Sequence, residues 1–108
     1  MDLEYDYWTG SLNDVKASLK RSVAQYIRNH KKVKIGITNN PERRKNQHAG
    51  SDEKWDKMIV KYQTFSINFI DQLEKLLIDE YWDYIQNEIG GGGGPKGDPP
   101  YYLYVLLK

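Results

Sequence analysis

The sequence contains no cysteine. That absence excludes disulfides, thiolate zinc sites and a cysteine nucleophile, and it is compatible with a reducing compartment. The sequence also lacks any apolar run of the roughly 18 residues that a membrane-crossing helix needs. Its first residues, MDLEYDYWTG, are acidic and carry no apolar signal core. A cytoplasmic location without a membrane partner is therefore expected. No internal repeat is evident. What is present, 108 residues with 39% apolar and 29% charged side chains, fits one compact globular domain spanning 1–108.

Net charge is nearly absent too, at +1, but it is unevenly distributed. Residues 16–48 hold ten basic residues (Lys16, Lys20, Arg21, Arg28, Lys31, Lys32, Lys34, Arg43, Arg44 and Lys45) and one acid, Glu42. That segment is +9. The six basic and fourteen acidic residues elsewhere make the remainder −8. A polyanion is the partner such a basic segment suits. A solvated helix face that neutralises the acidic half fits the same numbers.

Along the chain, LEYDYW at residues 3–8 reads as a short strand or ordered arm. Ser11 and Asp14 resemble a capping box. The helix they open, residues 11–29, spaces Leu12, Val15, Leu19, Val23, Tyr26 and Ile27 along one face. Its other face carries Lys16, Lys20, Arg21 and Arg28, so residues 1–31 form an N-terminal extension with a basic helix. Val33, Ile35 and Ile37 alternate with Lys32, Lys34 and Gly36, the period of a strand. Asn40 then suits a helix cap and Pro41 its first position. Arg44 and His48 fall four apart, on one face of that helix. AGSDEKWD at 49–56 reads as a loop and MIVKYQTF at 58–65 as a strand. A long helix runs from Ser66 or Asn68 to about Asn87, with a stripe of Phe69, Ile70, Leu73, Leu77, Tyr81 and Ile85. Glu74 lies beside that stripe, where a carboxylate is solvated at an opening, paired, or bound to a metal. GGGGGPKGDPP at 90–100 is neither helix nor strand and reads as a linker or as backbone near a ligand. YYLYVLLK at 101–108 is apolar enough for a central strand.

KIGITNNPERRKNQH, MIVKYQTF, Glu74-Lys-Leu-Leu-Ile and Asn87-Glu-Ile-Gly-Gly-Gly, in that order, resemble the core of the GIY-YIG nuclease superfamily. The resemblance covers about residues 32–94. Lys34-Ile35-Gly36 stands where the family has YIG, as in its KIG-type branches. Arg44 stands at the family's Arg, with His48 at the residue one turn on. Two features depart from the pattern. Lys34 replaces the YIG tyrosine, and a basic helix precedes KIG where the GIY strand is expected. That strand is either LEYDYW, with Tyr5 or Tyr7 as the tyrosine, or YYLYVLLK, with Tyr104. The second option, which the apolar character of the C-terminal run favours, makes the chain circularly permuted. The expected fold class is a small α/β (α+β) domain with a three-stranded, mostly antiparallel sheet flanked by helices.

The resemblance implies a metal-dependent endonuclease that hydrolyses phosphodiester bonds in DNA, with RNA not excluded. It assigns Glu74 to one divalent cation, Mg²⁺ or Mn²⁺. Arg44 is assigned to the scissile phosphate, Tyr104 to orienting or deprotonating the water, and Asn87 to shaping the site. Lys34 either acts as a base, directly or through the tyrosine, or stays charged and binds phosphate. His48 is either a proton acceptor for the tyrosine or water, or a solvent-facing helix residue. Lys16, Lys20, Arg28, Lys32, Arg43 and Lys45 are the candidate nucleic-acid contacts. Trp8, Trp55 and Trp82 can stack on unpaired bases or belong to the core, where Trp82 and Tyr81 are expected; His30 reads as structural. A homodimer is compatible with the weak binding of stand-alone domains of that family. The alternatives are a catalytically degenerate nucleic-acid-binding module, which binds without cutting, and a protein-interaction domain, which shows no salt-dependent DNA binding.

Overall fold

A computed structural model describes residues 1–87 and 97–108. Four strands and three helices alternate along them: β1 (Asp2–Trp8), α1 (Leu12–Asn29), β2 (Val33–Thr38), α2 (Pro41–Ala49), β3 (Lys57–Thr64), α3 (Ile67–Tyr81) and β4 (Tyr101–Leu107), with a 3-10 turn at Trp82–Tyr84. The strands form one mixed sheet in the order β1-β3-β4-β2. β4 runs antiparallel to both β2 and β3, and β1 adds to β3 in parallel. The expected three strands are therefore four. β1 is the addition: its acidic residues suit an edge, where solvent takes the side chains that a central strand would have to bury.

The alternation read in β2 sets the layers. Val33, Ile35 and Ile37 face α1 and α3 and share one core with Val15, Leu19, Val23, Ile70, Leu73 and Leu77. Leu103, Val105 and Leu107 of β4 join them. The tyrosine hydroxyl of Tyr81 donates to the Lys20 carbonyl at 2.9 Å and ties α3 to α1. The opposite sheet face holds a smaller cluster of Trp55, Met58, Val60, Tyr104 and Leu106. Each fully buried aliphatic side chain contributes about 1.5–3 kcal/mol, so the two-helix face supplies most of the apolar stabilisation.

Three local expectations are corrected. Ser11 caps α1 without a side-chain hydrogen bond. The Asp14 amide bonds the Ser11 carbonyl instead, at 3.1 Å, so the turn closes without a capping box. α3 ends at Tyr81 rather than near Asn87. Beyond the 3-10 turn the chain is extended, and it covers the outer edge of β2. The Gln86 amide donates to the Val33 carbonyl at 2.8 Å, and the Asn87 side chain pairs with the backbone of Ile35. Those edge groups need partners, and continuing the helix would leave them without any from this segment. Trp82, expected in the core, is 42% exposed because the helix has ended before it.

Residues 88–96, which include positions 90–96 of the Gly/Pro-rich stretch, lie outside the described residues, and with them the Gly run that follows Asn87. Residues 97–100 are neither helix nor strand. Gly97 adopts φ +113, a conformation suited to glycine. Its neighbour Asp98 accepts a hydrogen bond from the Asn39 amide at 3.2 Å.

Candidate active site

β2 and β4 pair in a register that sets Gly36 directly opposite Tyr104. The phenol of Tyr104 lies over Gly36 so closely that a Cβ there would collide with the ring and its hydroxyl. A glycine at this position is what permits the tyrosine to lie flat against β2. Lys34 stands two residues before it on the same face.

α2 delivers the next two groups. Its start is fixed by Asn40, whose side-chain oxygen accepts from the Arg43 amide at 3.0 Å, and by Pro41 at the first turn. Thr38 reinforces the entry: its hydroxyl accepts from the Asn40 amide at 3.0 Å. Arg44 and His48 then share the face that looks onto Tyr104. The hydroxyl of Tyr104 and Nε2 of His48 are 2.8 Å apart. Ser51, just beyond α2, donates its hydroxyl to the His48 carbonyl at 2.7 Å and holds the helix end. Nothing in the sequence singled Ser51 out, because a serine in a loop carries no periodic signal.

Glu74 of α3 and Asn87, which pairs with the outer edge of β2, close the arrangement. Lys34, Arg44, His48, Glu74, Asn87 and Tyr104 all line one cavity of about 360 Å³. The six residues that the resemblance makes catalytic come from β2, α2, α3, β4 and the segment after α3. Tyr5 and Tyr7 do not reach this cavity; they stand on β1, at the opposite edge of the sheet. Asn87 acts through its amide, donating to the Ile35 carbonyl at 2.8 Å and accepting from the Ile35 amide at 3.0 Å. It pins the strand that carries Lys34 and Gly36.

The electrostatics hold both partners of the Tyr104–His48 contact neutral near pH 7. Burial pushes the Tyr104 phenol up to about 12; the Arg44 guanidinium opposes that rise and the Glu74 carboxylate adds to it. Burial, with Lys34 and Arg44 nearby, pulls His48 down to about 4. Neutral imidazole therefore accepts or donates one hydrogen bond at Nε2, according to its tautomer. With the phenol raised and the imidazole lowered, the neutral pair is favoured over proton transfer from Tyr104 to His48. Arg44 Nε is buried and has no hydrogen-bond partner among the described residues. A buried guanidinium donor without an acceptor is costly unless an anion supplies one.

The donor set for a cation is small. Among the described residues no group of three or more His, Cys, Asp or Glu side chains could hold a metal. Mg²⁺ does not need one, since it keeps several waters and binds through one or two carboxylates plus substrate phosphates. Glu74, which lines the cavity together with Arg44, offers one such carboxylate.

Other candidate contacts lie apart. Lys16, Lys20 and Arg28 sit on α1, which packs on the sheet face opposite Lys34 and Tyr104. Lys32 pairs with Glu53 at 3.0 Å, and Glu53 also takes Lys108 at 3.3 Å, so this carboxylate ties the ends of β2 and β4. Arg43 donates to the Asn39 side chain at 3.1 Å, while Lys45 is half-buried on α2. Trp55 is buried in the cluster that contains Tyr104, and Trp8 is 49% exposed at the end of β1. His30 follows α1 as its C-cap and meets the Tyr26 ring edge-on.

Comparison with known proteins gives one family match. The model of the T5orf172 domain matches residues 22–94, from within α1 to beyond Asn87. Neither the curated proteins nor the solved structures provide a match.

Proposed function

The chain belongs to the T5orf172 domain family, which is associated with nuclease-like proteins, and from that premise we propose that it is a metal-dependent endonuclease acting on DNA. The observation that carries the reading is the cavity itself. It joins a buried guanidinium nitrogen that lacks an acceptor among the described residues, a carboxylate, and a neutral tyrosine–histidine pair. The pairing of the Tyr104 strand with the Lys34-Ile35-Gly36 strand supports the permuted form of the GIY-YIG resemblance, with Tyr104 over Gly36.

Each residue has a derivable task. Arg44 and Lys34 draw the phosphate into the cavity and offset its charge. Tyr104, neutral and held by His48, keeps an oxygen lone pair for an attacking water and so orients it. Glu74 and a substrate phosphate would hold the cation, which supplies charge neutralisation on the phosphate and favours deprotonation of a nearby water or phenol. Asn87 fixes the strand on which Lys34 rides.

The test is cleavage of supercoiled and branched DNA with and without Mg²⁺ and Mn²⁺, beside Glu74→Ala and Arg44→Ala. Metal-dependent cutting that falls at least 100-fold in each variant is expected. Variants that cut like the wild type overturn the assignment. The second reading, binding without cleavage, is favoured by Lys34 in place of the family tyrosine. It predicts salt-sensitive DNA binding with no cutting by the wild-type chain.

A further inference from the structure

Beyond the cavity, the same sheet face carries a row of aromatic rings that the nuclease reading does not use. Tyr102 lies two residues before Tyr104 on β4 and packs against the cluster that contains it. Its ring meets Tyr7 of β1 edge-on, with centroids 6.4 Å apart. Tyr7 in turn meets Tyr5 edge-on at 6.4 Å. Gln63 of β3, between the two strands, donates to the Tyr102 hydroxyl at 3.2 Å and fixes that ring. The row leads from the cavity across the sheet to its β1 edge.

Tyr5 and Tyr7 are 49% and 43% exposed. Two tyrosines held in place on an edge strand while half in water leave ring surface open. Edge-on geometry matters here, because it orders the rings and still exposes part of each face. The flanking charge selects the occupant. Burial raises the Tyr5 pKa, and the charge of Glu42 on α2 adds to the rise, with the phenols of Tyr102 and Tyr7. A carboxylate at this point repels a phosphate, whereas a nucleobase is neutral. The cations that suit the phosphate, Arg44 and Lys34, line the cavity with Tyr104.

We propose that Tyr5, Tyr7 and Tyr102 form a stacking platform for unpaired nucleobases of the strand whose phosphate enters the Arg44–Glu74 cavity. Bases within a duplex are already stacked on both faces, so an exposed phenol takes only a base that is free of its neighbours. The substrate class that follows is DNA with single-stranded character next to the cut: a flap, a branch or a single strand. The identification of the strand as a substrate rests on the nuclease reading. The stacking itself does not.

The experiment measures affinity for a short single-stranded oligonucleotide and for a blunt duplex of the same sequence. It compares the wild type with Tyr5→Ala/Tyr7→Ala and with Tyr5→Phe/Tyr7→Phe, and follows cleavage of a flapped duplex by the wild type and Glu74→Gln in parallel. Loss of two stacking rings is expected to lower the single-strand to duplex affinity ratio about tenfold or more, and the Phe variant is expected to keep it. The single Tyr5→Ala and Tyr7→Ala variants, each removing one exposed ring, serve if the double variant does not fold. An unchanged ratio in the Ala variants overturns the platform, as does an equal loss of both affinities. If the wild type binds with the expected ratio but never cuts, the nuclease reading fails and the platform stands. If it cuts in a Glu74-dependent way while the ratio is insensitive to the tyrosines, the platform alone fails.

Discussion

At Gly36 and His48 single residues decide what the cavity can hold. Gly36 has no Cβ, and the Tyr104 phenol occupies the space one would fill. That contact brings the hydroxyl within 2.8 Å of His48. Burial there lowers the His48 pKa to about 4, with Lys34 and Arg44 adding to the effect. The ordinary histidine value is about 6.5. Between those two values the unfolded chain binds a proton at His48 that the native state does not. His48 therefore contributes stability that is fully present above about pH 6.5 and is lost as pH falls toward 4. Urea denaturation at pH 7 and pH 5 should show a larger loss in the wild type than in His48→Asn. Equal losses in the two proteins would mean that His48 titrates normally. The pairing of Arg44 with His48 was legible in the sequence from their spacing of four. The contact with Tyr104, 56 residues away, was legible only through the family resemblance, since no local pattern links a helix face to a distant strand.

Among the three α-helices, α2 has the least apolar anchorage, with Pro41 its buried residue. It is nevertheless the element that carries Arg44 and His48. Its geometry is set at the ends, by Asn40 at the start and by Ser51 holding the His48 carbonyl at the finish. Asn40→Ala removes the bond to the Arg43 amide and is expected to lower stability by about 1 kcal/mol. Because the first turn frays with it, the DNA affinity that the proposed function assigns to Arg44 should fall as well; a variant that loses stability and keeps affinity would show that α2 is held by something else. The cap and the proline were readable as residue types in sequence order. The end of α3 was not. The stripe runs on to Ile85, and the helix stops at Tyr81 because Gln86 and Asn87 satisfy the edge of β2. β1 shows the same limit. Its edge character followed from Glu4 and Asp6, but its parallel pairing with β3 depends on a strand more than 50 positions away. Asp6 there meets Lys61, a lysine buried in the sheet, at 3.1 Å.

For the whole molecule, the last strand is the keystone. β4 lies between β2 and β3, and six of its seven residues are buried. Without it the sheet divides into β1–β3 and an isolated β2, and both cores lose their central layer. A chain ending at residue 100 should therefore show no cooperative thermal transition by circular dichroism; a cooperative transition in that chain would mean that β2 and β3 find each other without β4. The two layers also separate the charges. The α1 cations lie on the sheet face opposite Lys34 and Tyr104, so under the proposed function a duplex at Arg44 would not meet them without wrapping around an edge. Among the described residues, no helix is long and apolar enough to cross a membrane.

The sequence by itself determined the types of the three helices and of β2, β3 and β4, the alternating face of β2, the cap of α2 and the central character of β4, because each follows from local periodicity or from the chemistry of one or two adjacent residues. It carried the candidate site residues only through an ordered set of short motifs. The tertiary structure alone decided that β1 completes a fourth strand, that α3 yields its last turns to the edge of β2, and that three tyrosines from two strands form a row. Those outcomes rest on hydrogen-bond partners and ring contacts between segments far apart in the chain. Local propensity does not encode them; they are set when the backbone groups of one strand must find partners on another.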